Sequence, residues 1–138
     1  MDVCCFKRPY DDQSQLRVKL ETEAKLFIQQ EILTGNYELV WSYVLEYENN
    51  NNPYEERRNA IKDWKEVAKV FCTENRQILE FAEGLYKLGI RTKDALHVAC
   101  AVQSGVDYFI TTDKKLLHAQ VKGLKIINPI DFIEVMEE

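Results

Sequence analysis

Residues Thr92 to Leu117, TKDALHVACAVQSGVDYFITTDKKLL, constrain what this chain can fold into more than any other stretch. They read as a helix start, an apolar helix face, a turn and a short buried strand. The Thr92 hydroxyl can accept a free amide of a first helical turn, which predicts it as the N-cap. Ala95, Val98, Ala99 and Val102 follow at helical spacing. Ser104-Gly105 closes the helix, because glycine suits the left-handed position beyond a helix end. Tyr108, Phe109 and Ile110 then form a strand that runs into Thr111-Thr112-Asp113. In parallel α/β sheets the crevice beyond the carboxyl ends of the strands is where ligands bind. Asp94, in the first turn of the helix, and Asp113, just past the strand, are both brought toward that rim.

The rest of the chain repeats the alternation. Met1 to Phe6 reads as a first strand, with Cys4 and Cys5 as small strand hydrophobes. It is a truncated strand, since only Met1 precedes Asp2. Lys7 to Gln13 is a polar loop. Ser14 or Asp12 caps a long helix to about Leu33, whose core stripe is Leu16, Leu20, Ala24, Phe27 or Ile28, and Ile32. Tyr37 to Trp41 is a second strand, and Ser42 caps the helix YVLEYENN. Tyr54 to about Ala68 forms one charged helix with Ile61, Trp64 and Ala68 inward. Its outer side carries Arg57, Arg58, Lys62, Lys65 and Lys69, a solvated face more often than a phosphate site. Val70 to Cys72 is an apolar connector or short extended piece. Thr73 caps the next helix, which closes at Gly89. After Thr92–Leu117 come a strand at Leu124 to Ile127 and a helix opened by Pro129. Strands alternating with helices imply a parallel sheet covered on both faces.

Charge and cysteine content narrow the function. The formal net charge of −5 argues against wrapping nucleic acid by bulk electrostatics. It leaves room for a nuclease whose acids are neutralised by bound metal. Cys4, Cys5, Cys72 and Cys100 show no zinc spacing with His97 and His118. No apolar run approaches membrane-spanning length and no signal peptide is visible, so the expected location is the cytoplasm, with no membrane partner.

Four acids are candidates for the strand-end rim: Asp2, Asp94, Asp113 and one of the pair Glu46 and Glu48. Glu46 and Glu48 lie two apart, on opposite sides of their helix. Glu48 shares a face with Val44 and Leu45, which makes it the better interior acid, with Glu46 the fallback. Carboxylates packed together repel, so either their pKa values rise or a cation joins them. Hard oxygen donors without a Cys or His set suit Mg2+ or Mn2+. Two such ions about 3.5–4 Å apart can hold a phosphodiester and generate hydroxide. His97, one turn after Asp94, reads as a core histidine bonded to a backbone carbonyl rather than as a general base. Lys7 and Arg8 suit a phosphate contact or a solvated loop equally. Tyr10, Tyr43 and Tyr47 could stack on bases or cover a dimer contact. No phosphate-binding glycine loop of either common type is present.

The segments MDVCC, SYVLEYE, KDALHVACA and DYFITTDKKL, at this spacing, resemble the PIN-domain family of metal-dependent ribonucleases over nearly the whole chain. The opening MDVCCFKRPYDDQ is similar to one bacterial subgroup. The resemblance implies one domain over residues 1–138, a three-layer α/β/α sandwich with a central parallel sheet of about four to five strands. Carried over by motif, it implies Asp2, Glu48, Asp94 and Asp113 as the catalytic, metal-ligating acids, and Thr112 as a supporting hydroxyl. The implied activity is an endoribonuclease that hydrolyses RNA phosphodiester bonds by a two-metal mechanism with Mg2+ or Mn2+. Many members are toxins of toxin–antitoxin pairs, the VapC type, which makes RNA, an antitoxin protein and a second copy in a homodimer the expected partners. Other members are inert scaffolds, so the alternative is a catalytically inactive module binding RNA or a partner protein. The chain departs from the family in lacking the apolar run that precedes the first acid.

Overall fold

The computed structural model describes residues 1–137, without the side chains of Val3 and Cys4. The reading of Cys4 as a strand hydrophobe therefore lies outside the described side chains. The chain opens with α1 (Val3–Lys7) and a 3-10 turn (Arg8–Tyr10), followed by α2 (Leu16–Leu33). Next come β1 (Val40–Ser42), α3 (Tyr43–Asn50), α4 (Glu55–Lys62), α5 (Trp64–Val67) and β2 (Val70–Cys72). The second half runs α6 (Arg76–Lys87), α7 (Thr92–Gln103), β3 (Tyr108–Ile110), α8 (Lys114–Leu117), β4 (Lys125–Ile127) and α9 (Pro129–Met136).

The fold is α/β. Its short strands pair in parallel: β1 with β2, Val40 opposite Val70, and β3 with β4, Tyr108 opposite Lys125. Because side chains alternate across a strand, the strands feed two cores. Trp41, Tyr108, Ile110 and Ile127 turn to one side, where they meet Ile28 and Ile32 of α2 and Phe132 of α9. Val40, Cys72, Phe109 and Ile126 turn to the other, onto α6 and α7. This is the α/β layering that the alternating pattern predicts, but among the described residues the four strands form two separate parallel pairs rather than one sheet of four to five.

The first strand is not formed. Val3–Lys7 is helical because Asp2 caps it: extended at φ −92° and ψ 176°, its Oδ1 accepts the Cys5 amide at 3.0 Å. Once that bond forms, the residues after Asp2 are committed to a helical turn.

Several other boundaries differ. Arg91, not Thr92, precedes α7, and it makes no side-chain cap; the helix starts one residue early through Ala95 N–H donating to Arg91 O at 2.8 Å. Asn75 caps α6 in place of Thr73, its Oδ1 accepting from Ile78 N at 2.9 Å. Asp12 spends its Oδ1 on the Ser14 amide and hydroxyl, a local turn that competes with capping, so α2 begins at Leu16. The single helix expected over 54–68 is two. It tightens at Asp63, whose carbonyl takes the Glu66 amide three residues on.

The largest departure is the face of α2. Ala24, Ile28 and Ile32 are buried as the stripe requires, but Leu16, Leu20 and Phe27 are 71%, 44% and 48% exposed. Much of the inward face is polar instead: Glu21, Thr22, Lys25 and Gln29 are all buried. The reason lies in the segment they cover. Arg8 donates from Nε and Nη2 to Glu21 Oε1 at 3.0 and 2.7 Å. The Thr22 hydroxyl donates to Arg8 O, and Lys25 Nζ stands over the Phe6 ring at 5.5 Å. The polar loop needs polar partners, and it turns the helix to obtain them.

A buried charge stripped of its partner is costly, about 3–5 kcal/mol in buried pairs. Arg8→Met is therefore expected to lower unfolding stability by about 3 kcal/mol in urea titrations. Arg8→Met combined with Glu21→Leu is expected to recover most of that loss. Equal stability of Arg8→Met and the unsubstituted chain would show that the fork contributes nothing.

Candidate active site

The four candidate acids arrive from four elements. Asp2 is held at the start of α1. Its side chain is only 3% exposed, and its Oδ2 accepts from the Thr111 hydroxyl at 2.5 Å. Its backbone N–H donates to Ile110 O at 3.2 Å, so the residue is fastened to the end of β3 by side chain and main chain together. Asp113 follows that strand end. Its Oδ1 takes the Lys115 and Leu116 amides at 2.9 and 3.5 Å, making it the N-cap of α8, and Thr111 Oγ1 accepts its own N–H at 3.0 Å. Asp94 stands half-buried in the first turn of α7. Glu48 faces α7 from α3 and touches His97 Nε2 through its Oε1.

Glu46 turns the other way and pairs with Lys65 Nζ at 2.6 Å. His97 is buried, with a carboxylate partner rather than the backbone carbonyl expected of it, because α3 and α7 pack side by side. The hydroxyl that bonds the acids belongs to Thr111, which is fully buried, not to Thr112. Sequence reasoning missed Thr111. The signal was the doubled threonine after β3, of which only the second was weighed.

Electrostatics show that these groups share one field. Burial pushes the Asp94 carboxyl above its ordinary range, and the negative charges of Asp113, Asp2 and Glu48 push the same way against His97. Burial also raises Asp2, opposed by the Thr111 hydrogen bond and the His97 charge. Burial acts upward on Glu48 as well, but the bond and charge of His97 outweigh it and hold this carboxyl below its ordinary range. His97 thus acts on all three carboxyls, but only on Glu48 does its effect outweigh burial; Asp94 and Asp2 stay raised.

The donor chemistry fits a hard divalent cation: carboxylate oxygens that repel one another, on a rim beside the strand ends. The spacing is open. Among the described residues, no three of these side chains stand close enough to share one ion.

Of the cations, Lys93 and Lys7 act on Glu48, and three arginines are engaged elsewhere. Arg8 is forked onto Glu21 and also meets Asp11. Arg57 stacks on Tyr54 at 4.0 Å and on Tyr10 at 4.9 Å, and Arg58 Nη1 donates to Asn52 O at 3.0 Å. Tyr47 is exposed, whereas burial drives the Tyr43 hydroxyl up to about 12.

A family model described as the PIN domain matches residues 8–122. The match takes in Glu48, Asp94 and Asp113 and begins after Asp2. No curated protein and no solved structure matches the chain. No helix among the described residues is long and apolar enough to cross a membrane. With parallel strands between two helical layers and the match spanning most of its length, the chain belongs to the PIN-domain family.

Proposed function

We propose that this protein is a metal-dependent endoribonuclease, cutting RNA with Mg2+ or Mn2+ held by Asp2, Glu48, Asp94 and Asp113. PIN domains are in general nucleases that use divalent metals. The observation that carries the reading is the mutual repulsion at the rim: Asp94 is raised by burial and by three other acids. A cation is what makes such a cluster tolerable. When bound, the metal supplies a Lewis acid for the phosphate and a lowered pKa for water.

The chain's own residues do the placing. Thr111 sets Asp2 and Asp113 relative to each other, since one hydroxyl bonds both. The α8 amides fix the Asp113 carboxylate by its Oδ1 and leave Oδ2 to the rim. His97 acts as a positioning residue, because it orients Glu48 and keeps that carboxylate ionised. RNA is the proposed substrate, in the cytoplasm, with an antitoxin protein and a second copy of the chain as proposed partners. A second reading is a non-catalytic module that binds RNA or a partner protein. One observation favours it, the open spacing of the acids.

The two readings separate cleanly. Asp94→Asn is expected to cut RNA cleavage in Mn2+ by at least about a hundredfold, with the fold unchanged by circular dichroism. Cleavage equal to the unsubstituted protein removes Asp94 from the chemistry. Calorimetric titration with Mn2+ is expected to give heat that disappears in Asp113→Asn, a substitution that still caps α8. No heat from the unsubstituted protein selects the non-catalytic module.

The charge cluster also predicts a pH signature. A carboxyl raised in the folded state keeps its proton to higher pH than when unfolded. Stability then falls as pH rises from the ordinary value of 3.8 through the raised one, and stays lower above it. Asp94→Asn removes that loss. Its melting temperature is expected to exceed that of the unsubstituted protein by about 3 °C at pH 7 without metal, and to match it at about pH 3. Melting curves that keep one separation at both pH values would contradict the assignment. Glu48 has the opposite sign: its contribution is present above 4.5 and is lost as pH falls through its lowered value.

A further inference from the structure

Two tyrosines and an arginine form a cluster that neither the core nor the acids use. The Arg57 guanidinium stands over the Tyr54 ring at 4.0 Å and over the Tyr10 ring at 4.9 Å. Both rings stay open to solvent, Tyr54 at 56% and Tyr10 at 40% exposure. Among the described residues Arg57 makes no salt bridge, so no carboxylate neutralises it. A cation over exposed rings is a weak contact. It does not by itself account for two tyrosines left in water around one charge.

The cluster adjoins the rim. Tyr10 ends the 3-10 turn that follows α1, and Tyr54 immediately precedes α4. Lys7, in the last turn of α1, lies three residues before Tyr10, and its charge acts on Glu48. At the 3-10 rise those three residues span about 6 Å. Glu48 itself stands in the last turn of α3, and the corner from there to Tyr54 is fixed. Asn49 Nδ2 donates to Arg58 O at 2.9 Å, and Arg58 Nη1 donates to Asn52 O at 3.0 Å. The rings thus lie on the side of the rim where α1 and α3 end. The charges around them select what they can take. Glu55 and Glu56 open α4 beside Tyr54, and both are exposed. They repel a phosphate, whereas a nucleobase is neutral and presents a π-face to any aromatic ring. An arginine plane stacks on bases too. Phosphates are left to Lys7 and to Lys93, neither of which makes a salt bridge among the described residues.

We propose that Tyr54, Tyr10 and Arg57 form a platform on which an unstacked base of the RNA substrate lies, while the neighbouring phosphate meets Lys7. The platform rests on the proposed function for the identity of its ligand. It adds the residues that seat the strand beside the acids. Stacking of this kind tolerates any base, so the cluster contributes affinity and position more than sequence preference.

The test measures binding by the full chain in EDTA, where no metal supports cleavage. Two probes are used: a short oligoadenylate, and a ribose-phosphate chain of the same length without bases. At about 50 mM salt the oligoadenylate is expected to bind at least about tenfold more tightly than the abasic chain. Tyr54→Ala is expected to remove that advantage and leave the abasic chain unchanged, and Tyr54→Phe to keep it, since the ring is what stacks. Tyr10→Ala serves if Tyr54→Ala melts early, and the same outcome is expected of it. Lys7→Met is expected to weaken both probes alike and to lower the salt slope by about 0.7. Equal binding of the two probes by the unsubstituted protein, or binding of neither, overturns the proposal. So does a loss in Tyr54→Ala that is the same for both probes, which marks the cluster as structural. Cleavage in Mn2+ without base-dependent binding removes the platform alone. Base-dependent binding without cleavage keeps the platform and removes the nuclease.

Discussion

The entry of the chain and the end of β3 are tied together through Asp2. One oxygen of its carboxylate starts α1 and the other takes the Thr111 hydroxyl, while its amide reaches the last carbonyl of β3. Two of these bonds join the beginning of the chain to a strand end more than a hundred residues away in sequence. They do so at a place where burial works against the ionised carboxyl. The hydrogen bonds offset part of that cost, since bonds to a charged group are the stronger kind. Without them the entry of the chain has no fixed position against the end of β3, which is itself held by β4.

From that anchor the remaining acids follow by packing. The nearly all-round burial of α7, through Ala95, Val98, Ala99 and Cys100, forces it between α6 and the strands. Its first turn then carries Asp94 into the field of Asp113, Asp2 and Glu48. The α3 helix leans on the same element, which puts Glu48 against His97 and leaves Glu46 for Lys65. The division of labour between two glutamates two residues apart is a consequence of helix geometry. Only one side of α3 faces the sheet.

Much of this was legible in the sequence. The segment from Ala95 to Asp113 could be read almost residue by residue, because helix period, glycine stop and strand all agree locally. The separation of Glu48 from Glu46 came from the same arithmetic. What was not legible depended on partners distant in sequence. The inward polar face of α2 makes sense only once Arg8 and Phe6 lie against Glu21 and Lys25; a count of apolar residues chose Leu16, Leu20 and Phe27 instead. The helical state of Val3–Lys7 depends on one cap bond and on Thr111 holding the capping acid. The partner of His97 depends on how two helices pack. In each case a tertiary contact overrode a local preference.

The open spacing of the acids has a structural cause. Asp2 is fixed to the β3 side by Ile110 and Thr111, and among the described residues no hydrogen bond joins it to β1. Asp94 and Glu48 stand on helices that pack from the α7 side of the sheet. The two strand pairs share no ladder bond among the described residues, so the sheet supplies no bond to oppose the repulsion among the acids.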